Sequence, residues 1–377
     1  MNRRRLLTML PALLLAGTAS AADGVTDTTI RLGMSAPLSG PTGAYGRQMK
    51  EGIEACFARI NAAGGVHGRR LELVALDDGY ETEPAVANAR RLVQQDKVFA
   101  LMGFYGSSPT AAVLPVLDAT GVPLIGTISG AEALRKPVNR HMFHLRASYG
   151  DETAAIVKNL TTVGIQRVAV LYQDDGFGQA GLKGVIDALA QHKLAPVAAA
   201  SVPRNSVEVA AAVQAIAKAE PQAVVMVTLY RPTAEFIKQM RSSGASPFFV
   251  ALSPVGTDQL IAELGPQHTR GIQVSQVIPY PWGDKLEVVR EYKKALQSHA
   301  GGAALSYYGL EGYLNARLVA AALERAGPNP SREKLMAALR SGPFNLDGYR
   351  VNFAQGSNSG SNYVEISVVG ANGRILN

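Results

Sequence analysis

The sequence predicts an α/β protein of two doubly wound, Rossmann-like lobes, and three observations lead there. From Ile30 onward, short apolar runs alternate with longer segments of helical period, the pattern of βαβ units around a mostly parallel sheet. The alternation runs through one full set of units and restarts near FHLRAS, residues 143–148. The chain of 377 residues suits two domains by size, and a composition that is 47% hydrophobic and 6% aromatic, with 38 glycines, suits helices packed closely on a sheet.

The first half opens with the strand IRLGMSAPL (30–38). In GRQMKEGIEACFARINAAGG the apolar residues Met49, Ile53, Phe57 and Ile60 recur at spacings of three and four, which predicts a helix stopped at Gly64-Gly65. LELVALDD (71–78), a helix over 82–95, VFALMGF (98–104), a helix in PTAAVLPVLDAT and VPLIGT (122–127) complete this half. The second half repeats the scheme with a helix from Tyr149 to Val163, then RVAVLYQ, GQAGLKGVIDALAQ, APVAAAS, VEVAAAVQAIAKA, AVVMVTL, TAEFIKQMRSSG and FFVAL as alternating strands and helices. Beyond GIQVSQVIPYPWG (271–283), helical stretches at 284–298, 307–326 and 331–341 precede short strands that end in YVEISVVG. Three strand-like hinge crossings near 146, 278 and 350 then join the lobes, with residues 27–147 and 280–349 in lobe 1 and residues 148–279 and 350–377 in lobe 2. Such a molecule carries its cleft at the carboxyl ends of both sheets.

Residues 1–22 read as a signal peptide: Arg3 to Arg5, an apolar run from Leu6 to Ala16, and small residues at Ala19, Ser20 and Ala21 for cleavage. The apolar core is too short to span a bilayer, so the mature chain is expected to be soluble and exported. Cys56 is the sole cysteine and lies outside the leader, which predicts neither a lipid anchor nor a disulfide within the chain. The net charge of +7 shrinks once three leader arginines are removed, too weak a balance for a nucleic-acid partner.

SAPLSGPTGAYGRQMKEGIEACFARINAAGGVHGRRLELVALDD, with MGFYGSSPT, PLIGTISGAEAL and YQDDGFG, closely resembles the bacterial periplasmic solute-binding proteins of the leucine/isoleucine/valine-binding type. The likeness covers essentially the whole mature chain. It implies a type I periplasmic binding protein fold, closure over a small solute in the periplasm, and delivery to an inner-membrane ABC permease. It also implies a monomer with no cofactor and no catalytic residues.

Candidate site residues follow from local chemistry and from this resemblance. Ser107 and Ser108 sit between a strand end and the helix opened by Pro109, where backbone N–H groups, a hydroxyl and the positive helix end converge on one point and suit a carboxylate. Capping of the helix by one serine uses the same geometry. The resemblance adds Ser129 and Gly130 as the rest of a carboxylate cradle, with Ile128 larger than the family's usual residue there, and Tyr45 as an aromatic at the cleft rim. Phe177 and Tyr230 end strands of the second lobe and are expected to face the solute. In amino-acid binders of the family an acid of the second lobe pairs with the solute ammonium, and that position falls at Ser253, which carries no charge. Either another acid such as Asp174 or Asp175 serves, or the solute lacks an α-ammonium; the reading leans to a carboxylate with an apolar or aromatic body and leaves an ordinary amino acid open.

Gly176, Gly178 and Gly181 spell G-x-G-x-x-G, the one feature that suggests a nucleotide-dependent enzyme. Asp174 and Asp175 directly before it would repel a pyrophosphate, and no acid follows on the next strand to hold a ribose. The glycines are therefore expected to form a tight strand-to-helix turn, with Phe177 at the lip of the solute site. His141 and His144 are three apart in an extended segment and face apart, so no metal site is expected. Arg146, Arg204 and Arg231 are possible cleft residues, each expected more often as a solvated charge. A ligand-binding sensor that serves a membrane receptor is the alternative to transport.

Overall fold

The computed structural model describes residues 23–299, 301, 303–353 and 356–377, so the expected signal peptide lies outside the described residues. The first lobe runs β1 (Thr29–Ala36), α1 (Gly43–Ala62), β2 (Arg70–Asp77), α2 (Thr82–Gln94), β3 (Ala100–Met102), α3 (Ser107–Thr120), β4 (Leu124–Ile125) and β5 (Met142–Phe143). Its strands are all parallel, in the order β2-β1-β3-β4-β5. The chain then crosses at residues 144–148 and starts afresh with α4 (Tyr149–Thr162), whose capping box pairs Ser148 with Asp151. There follow β6 (Val168–Gln173), α5 (Gly176–Gln191), β7 (Ala198–Val202), α6 (Ala210–Lys218), β8 (Ala223–Val227), α7 (Tyr230–Ser242), β9 (Phe248–Ala251), α8 (Thr257–Leu264) and β10 (Gln273–Gln276).

The remaining helices, α9 (Glu287–His299), α10 (Tyr307–Ala326) and α11 (Arg332–Arg340), return to the first lobe, and β11 (Phe344–Leu346) and β12 (Tyr349–Val351) form a hairpin beside them. α10 lies directly on α1, because a Cβ at Gly52 would overlap the Gly309 carbonyl and one at Gly312 would overlap that of Met49. A last crossing brings β13 (Glu365–Val369) and β14 (Ile375–Leu376) to the second sheet, which reads β14-β13-β10-β9-β8-β6-β7 with the two late strands antiparallel. Two doubly wound lobes and three chain passages between them are thus present.

Burial explains why these strands read as apolar runs. All five residues of β8, Ala-Val-Val-Met-Val, are buried, as a central parallel strand covered on both faces requires. β7 at the sheet edge alternates instead. In α1, Met49, Ile53 and Phe57 are buried on one stripe.

Several boundaries differ from the sequence expectation, α8 falls where no helix was expected, and the differences that shape the cleft lie at helix starts. α3 begins at Ser107 rather than Pro109, and α5 at Gly176 rather than Gly178. Phe177 and Tyr230 therefore open helices rather than end strands, and Tyr45 belongs to the first turn of α1. The glycines of GFGQAG serve close packing, since a Cβ at Gly178 would overlap the Gln173 carbonyl and one at Gly181 would overlap Val227 on β8.

Candidate functional site

The carboxyl ends of both sheets face one another across the hinge, and the loops there carry the chemistry. At the end of β3 the chain turns through Gly106, whose φ of +90° favours glycine, and enters α3. No side chain among the described residues caps this helix. Ser107 Oγ lies 2.7 Å from Ser129 Oγ, which accepts from the Ala131 N–H at 3.2 Å. Two hydroxyls and a positive helix end thus converge on one buried point, which suits an anionic group. Behind it, the buried guanidinium of Arg135 donates to the carbonyls of Ser129 (3.1 Å), Arg146 (2.9 Å) and Ala147 (3.2 Å). Gly130 is needed there because a Cβ would overlap the ring of Tyr149, whose N–H donates to the Gly130 carbonyl at 2.7 Å.

α5 meets α3 from the other lobe, N-terminus to N-terminus. The Gly176 N–H donates to Ser108 Oγ at 3.1 Å, so Ser108 ties the lobes together. Asp175 caps α5, accepting from the N–H groups of Phe177 (2.9 Å) and Gly178 (3.1 Å), and also accepts from Gln173 Nε2 at 2.8 Å. Phe177 is buried with its ring 5.3 Å from that of Tyr149.

Aromatic rings line the cleft between these points. Tyr45 stacks on Tyr105 at 5.3 Å and packs against Tyr308 at 4.7 Å and Tyr230 at 5.5 Å, while Tyr80 meets Tyr105 edge-on at 5.5 Å. Except for Tyr105, whose hydroxyl meets that of Tyr308, the hydroxyls of this set bind the opposite lobe. That of Tyr45 donates to the Val255 carbonyl and accepts from the Tyr230 N–H, Tyr308 donates to the Pro254 carbonyl, and Tyr230 donates to that of Pro41. Gln48 with Asp258 and Gln259, and Glu81 with Arg204 and Asn205, add polar contacts at the rim. The lobes are closed. Burial pushes the Tyr45, Tyr80, Tyr105 and Tyr308 hydroxyls well above their ordinary range, so all stay neutral donors.

At the base of the cleft lies a cluster of buried charges. Arg146, 2% exposed, places Nε 3.1 Å from Glu311 Oε1 and donates from Nη2 to Ser253 Oγ at 3.1 Å. Ser253 in turn donates its N–H and hydroxyl to Glu152 (2.8 and 3.0 Å), and Ser275 donates a third bond at 2.6 Å. Burial raises both carboxyls. Arg146 opposes this, and Glu311, 2% exposed and opposed to Glu152, is pushed up to about 7. Arg146 is thus a buried structural cation and not the solvated charge expected of it, because Glu311 and the hinge enclose it.

The structure brings Ser107, Ser108, Ser129, Gly130, Phe177, Tyr45 and Tyr230 to one cleft. Ser253 belongs to it as well, but its hydroxyl bridges Glu152 and Arg146. Asp175 is engaged in its cap, so the acid near the Ser253 position is Glu152. Sequence reasoning missed Glu152, Arg135, Tyr80, Tyr105 and Tyr308. Tyr105 stands directly before the GSS that was singled out, and Glu152 occupies a first helical turn where an acid is unremarked.

The model for a periplasmic binding protein family matches residues 29–373. The chain belongs to that family. Its members are substrate-binding proteins of transporters and not enzymes. The chain is 28% identical over 307 residues to an amino acid binding protein of Pseudomonas aeruginosa, covering 79% of each chain. Among solved structures it is similar to a substrate-binding periplasmic protein from Ralstonia solanacearum, with a TM-score of 0.87, 33% identity and coverage of 92% of this chain and 99% of the other. A possible leucine/isoleucine/valine-binding protein from Rhodopirellula baltica gives a TM-score of 0.88 and 31% identity, with 95% and 98% covered.

Proposed function

We propose that this periplasmic binding protein is exported by a cleaved signal peptide, captures an amino acid between its lobes and, as a monomer, presents it to an inner-membrane ABC permease. The observation that carries this reading is the pairing of Ser107 and Ser129 at the uncapped end of α3, which suits a solute carboxylate. Ser108, Gly130, Tyr45, Phe177 and Tyr230 surround the solute in this reading, and Ser253 holds Glu152 and Arg146 in place behind it. Arg135 makes the cradle end of the cleft positive, while Glu152, held by the donors of Ser253 and Ser275, places a carboxylate at the base. Opposite charges at the two ends favour a zwitterion over the ammonium-free acid to which the sequence leaned, and the amino acid binding relative points the same way.

The test is calorimetric titration and thermal melting of the purified mature protein with leucine, isoleucine, valine, threonine and alanine, each beside its 2-hydroxy acid. A tight ligand at about 100 times its Kd raises stability by about 2.7 kcal/mol. Binding of an amino acid but not of its hydroxy acid is the expected result. Equal binding of both would restore the ammonium-free reading, and no shift with either series would overturn the proposal.

A further inference from the structure

The charge cluster at the base of the cleft has more carboxylates than cations and is shared by both lobes. Arg146 stands on the first crossing, Glu311 on α10 of the first lobe, and Glu152, Ser253 and Ser275 in the second. The two acids are served unequally. Glu152 accepts three hydrogen bonds from serine groups, whereas the hydrogen-bond partner of Glu311 among the described residues is Arg146 alone, at 3.4 Å. Two Arg146 nitrogens are buried without hydrogen-bond partners, Nε, which meets Glu311 Oε1 at 3.1 Å only as an ion pair, and Nη1; with the unpartnered Tyr307 hydroxyl, Arg146 lines a small cavity beside Ser253, Tyr308 and Glu311. The other groups that act on this cluster are neutral tyrosines, Tyr149, Tyr308 and Tyr349, and Arg135, which bears on Arg146 rather than on Glu311.

Closed lobes seal this cluster from water, because Ser253 and Pro254 of the second lobe lie against Arg146 and Tyr308. Opening removes that cover and admits water to Glu311. An unbalanced carboxylate tolerates the open form and not the closed one.

We propose that Glu311 is a proton-binding site linked to lobe closure, taking up a proton as the cleft shuts and releasing it as the cleft opens. The linkage belongs to the hinge and holds whatever solute the cleft carries. Its sign follows from burial. The closed form holds the Glu311 carboxyl near 7, above an ordinary solvated glutamate, so closure is favoured below that pH and weakened as pH rises through it.

The test uses spin labels on the full mature protein without added solute. Glu83 on α2 and Glu208 before α6 are exposed, one on each lobe, and accept cysteine substitutions, while native Cys56 is buried with its thiol pushed up to about 12 and stays unlabelled. Pulsed electron–electron distance measurements across about pH 6 to 8.5 report the closed fraction, which should fall several-fold over that range, one pKa unit being a tenfold change in the equilibrium. Glu311→Gln should keep a closed population and abolish the pH slope. Glu152→Gln, which leaves Glu311 titratable but removes its like-charged neighbour, should move the midpoint to lower pH and serves if the first variant folds poorly. A flat wild-type profile, a Glu311→Gln profile that titrates like wild type, or a Glu152→Gln midpoint that stays or rises would each overturn the proposal.

Discussion

Two helix N-termini face each other across the cleft, and they are treated differently. α5 is closed off by its own residue, Asp175, whose carboxylate holds the N–H groups of Phe177 and Gly178. α3 begins after Gly106, has no side-chain cap among the described residues, and places Ser107 Oγ beside Ser129 Oγ. Both helix ends carry partial positive charge, so bringing them together calls for a negative charge at each. The protein supplies one of these itself, and in the proposed function the solute carboxylate supplies the other. This also explains why G-x-G-x-x-G here is no nucleotide site. The place where a pyrophosphate would sit is already taken by a carboxylate, and the glycines allow close contact with Gln173 and Val227.

The contrast can be broken most severely at α3. Ser107→Asp gives that helix a carboxylate like the one on α5, and at ~4 Å and an effective dielectric near 20 it opposes a solute carboxylate by about 4 kcal/mol. Calorimetry should show affinity for the best amino acid reduced on the order of a thousandfold, with the melting temperature kept. Retained affinity would mean that the carboxylate is held elsewhere. Next in size is Gly178→Ala, where the added methyl meets the Gln173 carbonyl and forces the first turn of α5 off β6. Denaturant melts should show a loss of about 1–3 kcal/mol, as for other overpacked sites.

Asp175→Ala removes two capping bonds and should cost about 1 kcal/mol in the same melts. It also uncovers a second positive helix end, so added sulfate should stabilise this variant more than wild type. Ser108→Ala is the mildest change, deleting the one hydrogen bond between the two helix ends. Closed-state stability should fall by about 0.5–1.5 kcal/mol, read as a faster solute off-rate, with little change in the melting of the solute-free protein.

Much of the fold was legible because it rests on local patterns. The apolar runs that became β1, β6 and β8 and the four-residue spacing in α1 are short-range signals, and each element formed where its pattern lay. The errors lay at strand ends and helix starts and in α8, which was not expected at all. α3 and α5 each start two residues earlier than expected, at Ser107 and Gly176, because Gly106 turns the chain sharply before one and the Asp175 cap opens the other.

The candidate site was legible to the same degree. SGPTGAYG, GSS and DDGFG are compact loops whose residue types announce themselves, and all reached the cleft. Tyr80, Tyr105 and Tyr308 did not stand out, because a tyrosine near a strand end or in a helix looks like core until the Tyr80 and Tyr308 hydroxyls are seen to reach across to the other lobe, with Tyr105 bonded to Tyr308 beside them.

What the sequence by itself determined is the alternation of elements, the duplication into two doubly wound lobes, and the small polar loops at the strand ends, since all are written in residue type and spacing. What only the tertiary structure decided is the charge balance of the cleft. Ser253 had suggested a missing acid, yet Glu152 and Glu311 arrive from α4 and α10, some 100 residues before it and 58 after, and meet Arg146 on the crossing between the lobes. Electrostatic partners are set by distance in space and by exclusion of water, and neither is recorded along the chain.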